Sequence, residues 1–202
     1  FSLSMKSVKL IFFFISFFSC VDEKVKITYE TKFQKDLNIF FKDATTSPLK
    51  ISDLKKFKSL PFFPLDSSFI VLAKFQRTPE SEFFEMETST NKKTKERVYG
   101  ILTFEIMELE YQLKVYQNQL SAQEYKNDLL LPFIDNTNGF STYGGGRYIN
   151  LDIPKTNKLI IDFNKSYNPY CAYNDRYSCP LVPKDNYLPI DVKAGVKYKL
   201  DY

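Results

Sequence analysis

The chain has 202 residues, room for one domain behind an export segment, and 44% apolar with 17% aromatic residues is enough to bury a real core. Its 28 Lys and Arg are interspersed with 24 Asp and Glu, a formal charge of +4 with no polycationic tract, so no nucleic-acid partner is expected. There is no histidine, which excludes Ser-His-Asp and Cys-His catalysis and histidine-held zinc or iron within the chain.

Translation is expected to start at Met5. Lys6 and Lys9 form a positive n-region, Leu10 to Phe18 an apolar run too short to span a bilayer, and Ser19-Cys20 a small residue before a cysteine. This resembles a bacterial lipoprotein signal peptide whose lipobox cysteine becomes the lipidated first residue, with Phe17 where leucine is usual, as in phenylalanine-rich variants of the Bacteroidetes. The expectation is an exported cell-envelope lipoprotein, periplasm-facing or on the outer membrane, anchored at Cys20 and mature from there. An ordinary secretory signal or a short membrane anchor is the alternative. Residues 21–32 then read as a polar tether and 33–202 as a single domain.

Phe33, Leu37, Phe40, Phe41 and Ala44 share one face at helical spacing, and Thr45-Thr46-Ser47-Pro48 stops that helix. A short second helix is expected to start at a Ser52 cap, with Leu54 and Phe57 facing inward. Such a helix fits a flap over a sheet edge or end better than a membrane-binding element.

From Phe69 the pattern turns to period two. Phe69 to Phe75, Phe84 to Met86, Val98 to Glu108 and Glu110 to Gln117 read as successive strands, with Leu102, Phe104 and Ile106 opposed to Leu113 and Val115. A polar, helix-prone link occupies Ser121 to Asn127. Leu129 to Ile134, Tyr148 to Ile153, Leu159 to Phe163 and Leu188 to Ala194 complete the set. The expected fold is mainly β, an antiparallel β-sandwich with an N-terminal amphipathic helix.

The densest signals lie between Asp135 and Pro189. The run Tyr143-Gly144-Gly145-Gly146-Arg147 can be an anion cradle, glycine N–H groups and the guanidinium converging on a carboxylate or phosphate. It can equally be a tight bend or bulge with Arg147 paired to Asp162 or Asp152. Asp135-Asn136-Thr137-Asn138-Gly139 imitates a calcium loop, but the glycine comes one position early and Gly146 stands where a bidentate Glu is needed. No metal site is expected, and an Asx turn is the ordinary reading. Cys171 and Cys179 are separated by seven residues; a disulfide, two free buried thiols and a reactive thiol all remain open. Tyr167-Asn168-Pro169-Tyr170 and Tyr173 can line a pocket for a polar molecule or plug the end of a sandwich. No Rossmann or phosphate-loop glycine spacing occurs, so no cofactor is expected.

Thr137-Asn138-Gly139, Thr142-Tyr143-Gly144-Gly145-Gly146-Arg147-Tyr148, Asp162-Phe163-Asn164, Tyr167-Asn168-Pro169-Tyr170-Cys171-Ala172-Tyr173 and Cys179-Pro180-Leu181 with Asn186 resemble the signature of the bacterial family DUF1684. The likeness extends upstream through Ser47-Pro48-Leu49, Phe62-Phe63-Pro64 and Arg77-Thr78-Pro79, across residues 33–200. It implies a β-rich domain akin to the forkhead-associated type of sandwich and, in the Bacteroidetes branch, an envelope lipoprotein. The family's activity is not established. One departure is Asp185, where the signature often carries Glu.

Candidate ligand-binding residues are therefore Tyr143, Gly144, Gly145, Gly146, Arg147, Asp162, Asn164, Asn168 and Tyr173. The favoured function is a non-enzymatic envelope module binding a small polar or anionic ligand or a protein partner. The alternatives are a His-free hydrolase with Asp162 or Asp135 as base and Arg147 stabilising negative charge, and a purely structural lipoprotein.

Overall fold

A computed structural model describes residues 30–120 and 128–198. The signal segment, Cys20, most of the tether and the link at Ser121 to Asn127 lie outside them. Helix α1 (Lys32–Lys42) starts on a capping box: Thr31 Oγ1 accepts from the Gln34 N–H at 3.2 Å, and Gln34 Oε1 accepts from the Thr31 N–H at 2.9 Å. Its last turn is closed by Asp43, so Ala44 falls outside the helix and is exposed. Helix α2 (Ile51–Leu54) begins one residue before the Ser52 cap that the sequence suggests, with Lys50 in the capping position and no side-chain cap bond.

Eight strands follow among the described residues: β1 (Ile70–Arg77), β2 (Phe84–Glu87), β3 (Lys93–Ile106), β4 (Leu109–Asn118), β5 (Asp128–Asp135), β6 (Arg147–Asp152), β7 (Lys158–Asp162) and β8 (Tyr187–Leu188). The antiparallel path runs β6-β5-β4-β3-β1-β7; β2 pairs with β3, and β8 pairs with β5 in parallel. The β3–β4 hairpin has Leu102 opposite Leu113 and turns tightly at Met107 and Glu108, both with positive φ, the backbone that suits the twist of a two-residue hairpin.

Alternate side chains point inward: Val71, Ala73 and Phe75 from β1, Leu102, Phe104 and Ile106 from β3, Leu113 and Val115 from β4, Leu129, Leu131 and Phe133 from β5. The sheet curls until its inner face meets itself. Phe163, just after β7, lies 5.8 Å from the Phe104 ring and 5.3 Å from the Phe133 ring, joining β3 and β5 across the interior. A second, smaller core lies outside the sheet, where Phe41, Leu49, Leu60, Ala172, Tyr173 and Val196 pack together. Here α1 covers the loop after β7: Phe41 meets Tyr173 edge-on at 4.9 Å and Phe40 stacks on Tyr170 at 5.8 Å.

The expected strand Leu188 to Ala194 is replaced by the two-residue β8 and an irregular run. Pro189 interrupts the ladder, and the carbonyls of Val192 and Ala194 are drawn to the Arg147 guanidinium instead of to another strand. The β4–β5 junction is also thin, with Tyr116 opposite Leu130 as its aligned pair. Asn186 reinforces it. Its amide donates to the carbonyls of Lys114 (2.8 Å) and Pro132 (2.7 Å), and its oxygen accepts from the Lys114 N–H at 2.9 Å.

Candidate functional site

The structure separates the sequence-selected residues into three places. Arg147 is the most enclosed. It sits opposite Phe133 in the β5–β6 register, which puts Asp135, two residues along β5, on the same inward face. Its Nη2 donates to Asp135 Oδ2 at 2.7 Å and to the Val192 carbonyl at 2.8 Å, and its Nη1 to the Ala194 carbonyl and to Ser166 Oγ. Both side chains of the pair are 0% exposed. Burial pushes the Arg147 pKa down and the Asp135 carboxylate pulls it up. The other Asp135 oxygen accepts from the Thr137 N–H at 2.8 Å and the Val192 N–H at 3.3 Å.

This corrects three readings. The Arg147 partner is Asp135, not Asp162 or Asp152. The guanidinium also faces the interior, so the glycine loop and Arg147 do not form an anion cradle, and Asp135 with Arg147 cannot serve as base and charge stabiliser because each is spent on the other. Gly146 explains the glycine on the Arg147 side: its φ is +93°, and a Cβ there would lie 2.8 Å from the Phe133 carbonyl oxygen. Gly195 holds the other side of the guanidinium in the same way, with φ +77° and a Cβ position 2.6 Å from the Ser166 carbonyl oxygen. Gly144 and Gly145 are exposed. Asp135 makes the Asx turn ahead of them through its bond from the Thr137 N–H, and Asn138 closes the loop, its oxygen accepting from the Asp135 N–H at 2.6 Å and its amide donating to the Tyr143 carbonyl at 2.6 Å.

The second place is the tyrosine cluster beneath α1. Asn168 donates to Tyr173 Oη at 3.0 Å and to the Lys197 carbonyl at 3.2 Å, Tyr198 Oη donates to the Ala172 carbonyl at 2.9 Å, and the Tyr143 ring meets Tyr198 at 5.2 Å. Asn168 and Tyr173 are buried, so this loop fills the end of the domain in the manner of a plug. Beside it, the Cys171 N–H donates to Cys179 Sγ at 3.2 Å, and both cysteines are free thiols.

The third place is β7. Asp162 caps the turn after it, accepting from the Asn164 N–H and side-chain amide at 3.0 Å each; Asn164 also clamps Asp66 through the Asp66 N–H (3.0 Å) and carbonyl (2.9 Å). Lys165 lies 3.9 Å from Asp162. Three clefts meet around this strand. One of about 480 Å³ lies between α1 and the Asp162–Lys165 turn, lined by Lys32, Phe33, Leu65, Asp162, Asn164 and Lys165. One of about 340 Å³ separates β6 from β7, and one of about 560 Å³ lies on the outer face of β1 and β3 beside Lys158.

Sequence reasoning did not anticipate that β7 has a free edge. Among the described residues it pairs with β1 alone. The Phe75 N–H donates to the Asn157 carbonyl at 2.8 Å, so by strict alternation the polar groups of Leu159 and Ile161 also turn toward β1, and those of Ile160 and Asp162 turn outward. Across the cleft, Tyr148 spends its outward N–H and carbonyl on Tyr167 at 2.9 Å each, and Asn150 and Asp152 of β6 point the same way. On the sheet face beside this edge Leu72 lies opposite Ile160, 61% and 62% exposed, with Ile70 at 47% next to them. The signal in the sequence is the uninterrupted Leu159-Ile160-Ile161, which gives an outward strand position an isoleucine.

A family model described as a protein of unknown function (DUF1684) matches residues 55–197, more than half of the chain. The chain belongs to the DUF1684 family. The DUF1684 match begins at Lys55, just past α2, so α1 lies ahead of it, whereas the resemblance read from sequence starts at 33. An uncharacterized protein of Haloarcula marismortui, whose structure was determined by solution NMR, is 29% identical to the chain and superposes with a TM-score of 0.67, covering 84% of this chain and 92% of that one. No curated protein matches the chain.

Proposed function

We propose that this DUF1684 protein is a non-enzymatic cell-envelope module, lipidated at Cys20, that binds an extended segment of a protein partner along the free edge of β7. The observation that supports the reading is the coincidence of outward-facing backbone groups at Ile160 and Asp162 with the exposed pair Leu72 and Ile160 beside them. An added strand takes its affinity from ladder hydrogen bonds to the edge and its selectivity from alternate side chains on the apolar face. The partner segment therefore carries apolar residues at every second position. A small anionic ligand is the weaker reading, since Arg147 is enclosed and Asp162 and Asn164 are occupied by local hydrogen bonds.

Random-peptide selection on the soluble domain tests the edge. Enriched peptides should alternate apolar residues, shift the amide resonances of Lys158 to Asp162, and lose about tenfold in affinity against Ile160→Lys, as expected when a buried apolar contact worth about 1.4 kcal/mol is removed. Peptides that shift other strands, or an empty selection beside carboxylate-induced shifts at Asp162 to Lys165, would reject it. For the anchor, metabolic labelling with an alkyne fatty acid should mark the parent chain and not Cys20→Ser.

A further inference from the structure

The two thiols beside the tyrosine cluster belong to none of the clefts around β7, and their surroundings are chemically asymmetric. Cys171 opens outward from a 3-10 turn (Tyr170–Ala172) and is partly exposed; Cys179 is buried. Cys179 is fixed on an extended run stitched to the end of β2: the Ser89 N–H donates to the Cys179 carbonyl at 2.8 Å, the Cys179 N–H to Ser89 Oγ at 3.1 Å, and the Leu181 N–H to the Glu87 carbonyl at 2.8 Å. Cys171 is fixed from the opposite side by the turn that α1 covers. The Cys171 N–H donates to Cys179 Sγ at 3.2 Å, which brings the two residues side by side, and the hydroxyls of Ser89 and Tyr143 lie in the surroundings of Cys171.

We propose that Cys171 and Cys179 form a thiol–disulfide exchange pair that accepts oxidising equivalents from a disulfide, with Cys171 attacking and Cys179 resolving. The groups facing Cys171 set its protonation. The hydrogen bond from the Cys179 thiol, first, and those from Ser89 and Tyr143 hold its pKa down at about 6 against the opposing effect of burial. Cys179 shifts upward through the same thiol–thiol hydrogen bond and through burial, and Tyr143 rises to about 12 chiefly by burial. Tyr198 and Tyr148, the other titratable groups in the Cys171 field, both rise, whereas Cys171 is shifted downward, toward ionisation.

The exchange balances without any other reagent. The Cys171 thiolate attacks one sulfur of the donor disulfide, forming a mixed disulfide and expelling one donor thiolate, which takes the Cys179 proton. The Cys179 sulfur then attacks Cys171 Sγ, and the second donor thiolate leaves and takes a proton from water. The protein pair is oxidised by two electrons and the donor disulfide is reduced to two thiols. The new bond latches the turn under α1 to the run beside β2. A low Cys171 pKa stabilises the reduced pair, so this disulfide is more readily reduced than a purely structural one.

The test uses the full chain carrying Cys20→Ser, so that only this pair reports. Iodoacetamide labelling read by peptide mass spectrometry should modify Cys171 at least about tenfold faster than Cys179, with a rate that is half-maximal near pH about 6. With oxidised glutathione the parent should lose two hydrogens and keep no glutathione, Cys179→Ser should keep one glutathione on Cys171, and Cys171→Ser should react at least about tenfold more slowly. Equal labelling of the two thiols, a Cys171 rate that rises only in the ordinary thiol range, or a parent that retains glutathione on both positions would overturn the assignment. The labelling arm needs neither cysteine variant, so it decides the matter even where one of them fails to fold.

Discussion

Arg147 and Asp135 show how a residue can be conspicuous in sequence and still be misread. A guanidinium after three glycines suggests a ligand loop, but β-strand alternation puts Arg147 on the face it shares with Ile149 and Leu151, and that face is the core. Asp152 and Asp162 could not meet it, because they lie on the outer side of the sheet. The missing information was the β5–β6 register, which places Asp135 diagonal to Arg147 and which no local sequence feature specifies. A buried pair of this kind contributes little net stability over an apolar replacement, yet stranding one member is costly. Arg147→Met should therefore destabilise the domain by about 3–5 kcal/mol in urea unfolding, and Asp135→Leu by a similar amount. The double variant should recover a large part of that loss, since neither charge is left behind. Single variants within about 1 kcal/mol of the parent would show that the pair does not hold the β5–β6 corner.

At the level of elements, the strands with clean alternation were readable, because one face of each is buried and the other is wet. The β3–β4 hairpin is the clearest, with Leu102 and Leu113 opposed as their spacing implies. Where another interaction outcompetes the ladder, the reading failed. Val192 and Ala194 are as apolar and buried as strand residues, but their carbonyls serve Arg147. Asn186 is the complementary case, a loop residue that does the work of a ladder between β4 and β5. Its three side-chain hydrogen bonds leave buried backbone groups of Lys114 and Pro132 without partners when it is truncated. Asn186→Ala should cost about 2–4 kcal/mol, since each buried group left unsatisfied costs about 1–3 kcal/mol and relaxation restores some of it. Amide exchange should speed most at Lys114, whose N–H bonds to the Asn186 oxygen. Unchanged exchange there, with the same loss of stability, would mean that Asn186 acts only through its own loop.

Across the whole molecule, two cores of unequal kind coexist. The inner core is built by long-range strand pairing among β1, β3, β4, β5 and β7, whereas the outer one depends on α1 lying against a tyrosine-rich loop. They meet at Val196, whose N–H donates to the Ser166 carbonyl at 2.9 Å beside the buried Arg147. The helix face was readable from the spacing of Leu37, Phe40 and Phe41, but its seat was not, since Leu49 and Leu60 are joined there by Ala172, Tyr173 and Val196, more than a hundred positions away. The DUF1684 match covers the sheet and omits α1, which fits a sheet that keeps its own core without the helix. Native-state hydrogen exchange should accordingly resolve two openings. The Asp43 amide, bonded to the Ile39 carbonyl at 3.0 Å, should exchange through a partial unfolding that frees α1, and the amides of Leu113 and Leu131 only through global unfolding. Phe41→Ala, which removes the most buried side chain of the helix, should lower the first opening energy by about 3 kcal/mol and leave the second nearly unchanged. A parallel fall in both would mean instead that helix and sheet unfold as one unit, with Val196 and Ser166 coupling the two cores into a single cooperative structure.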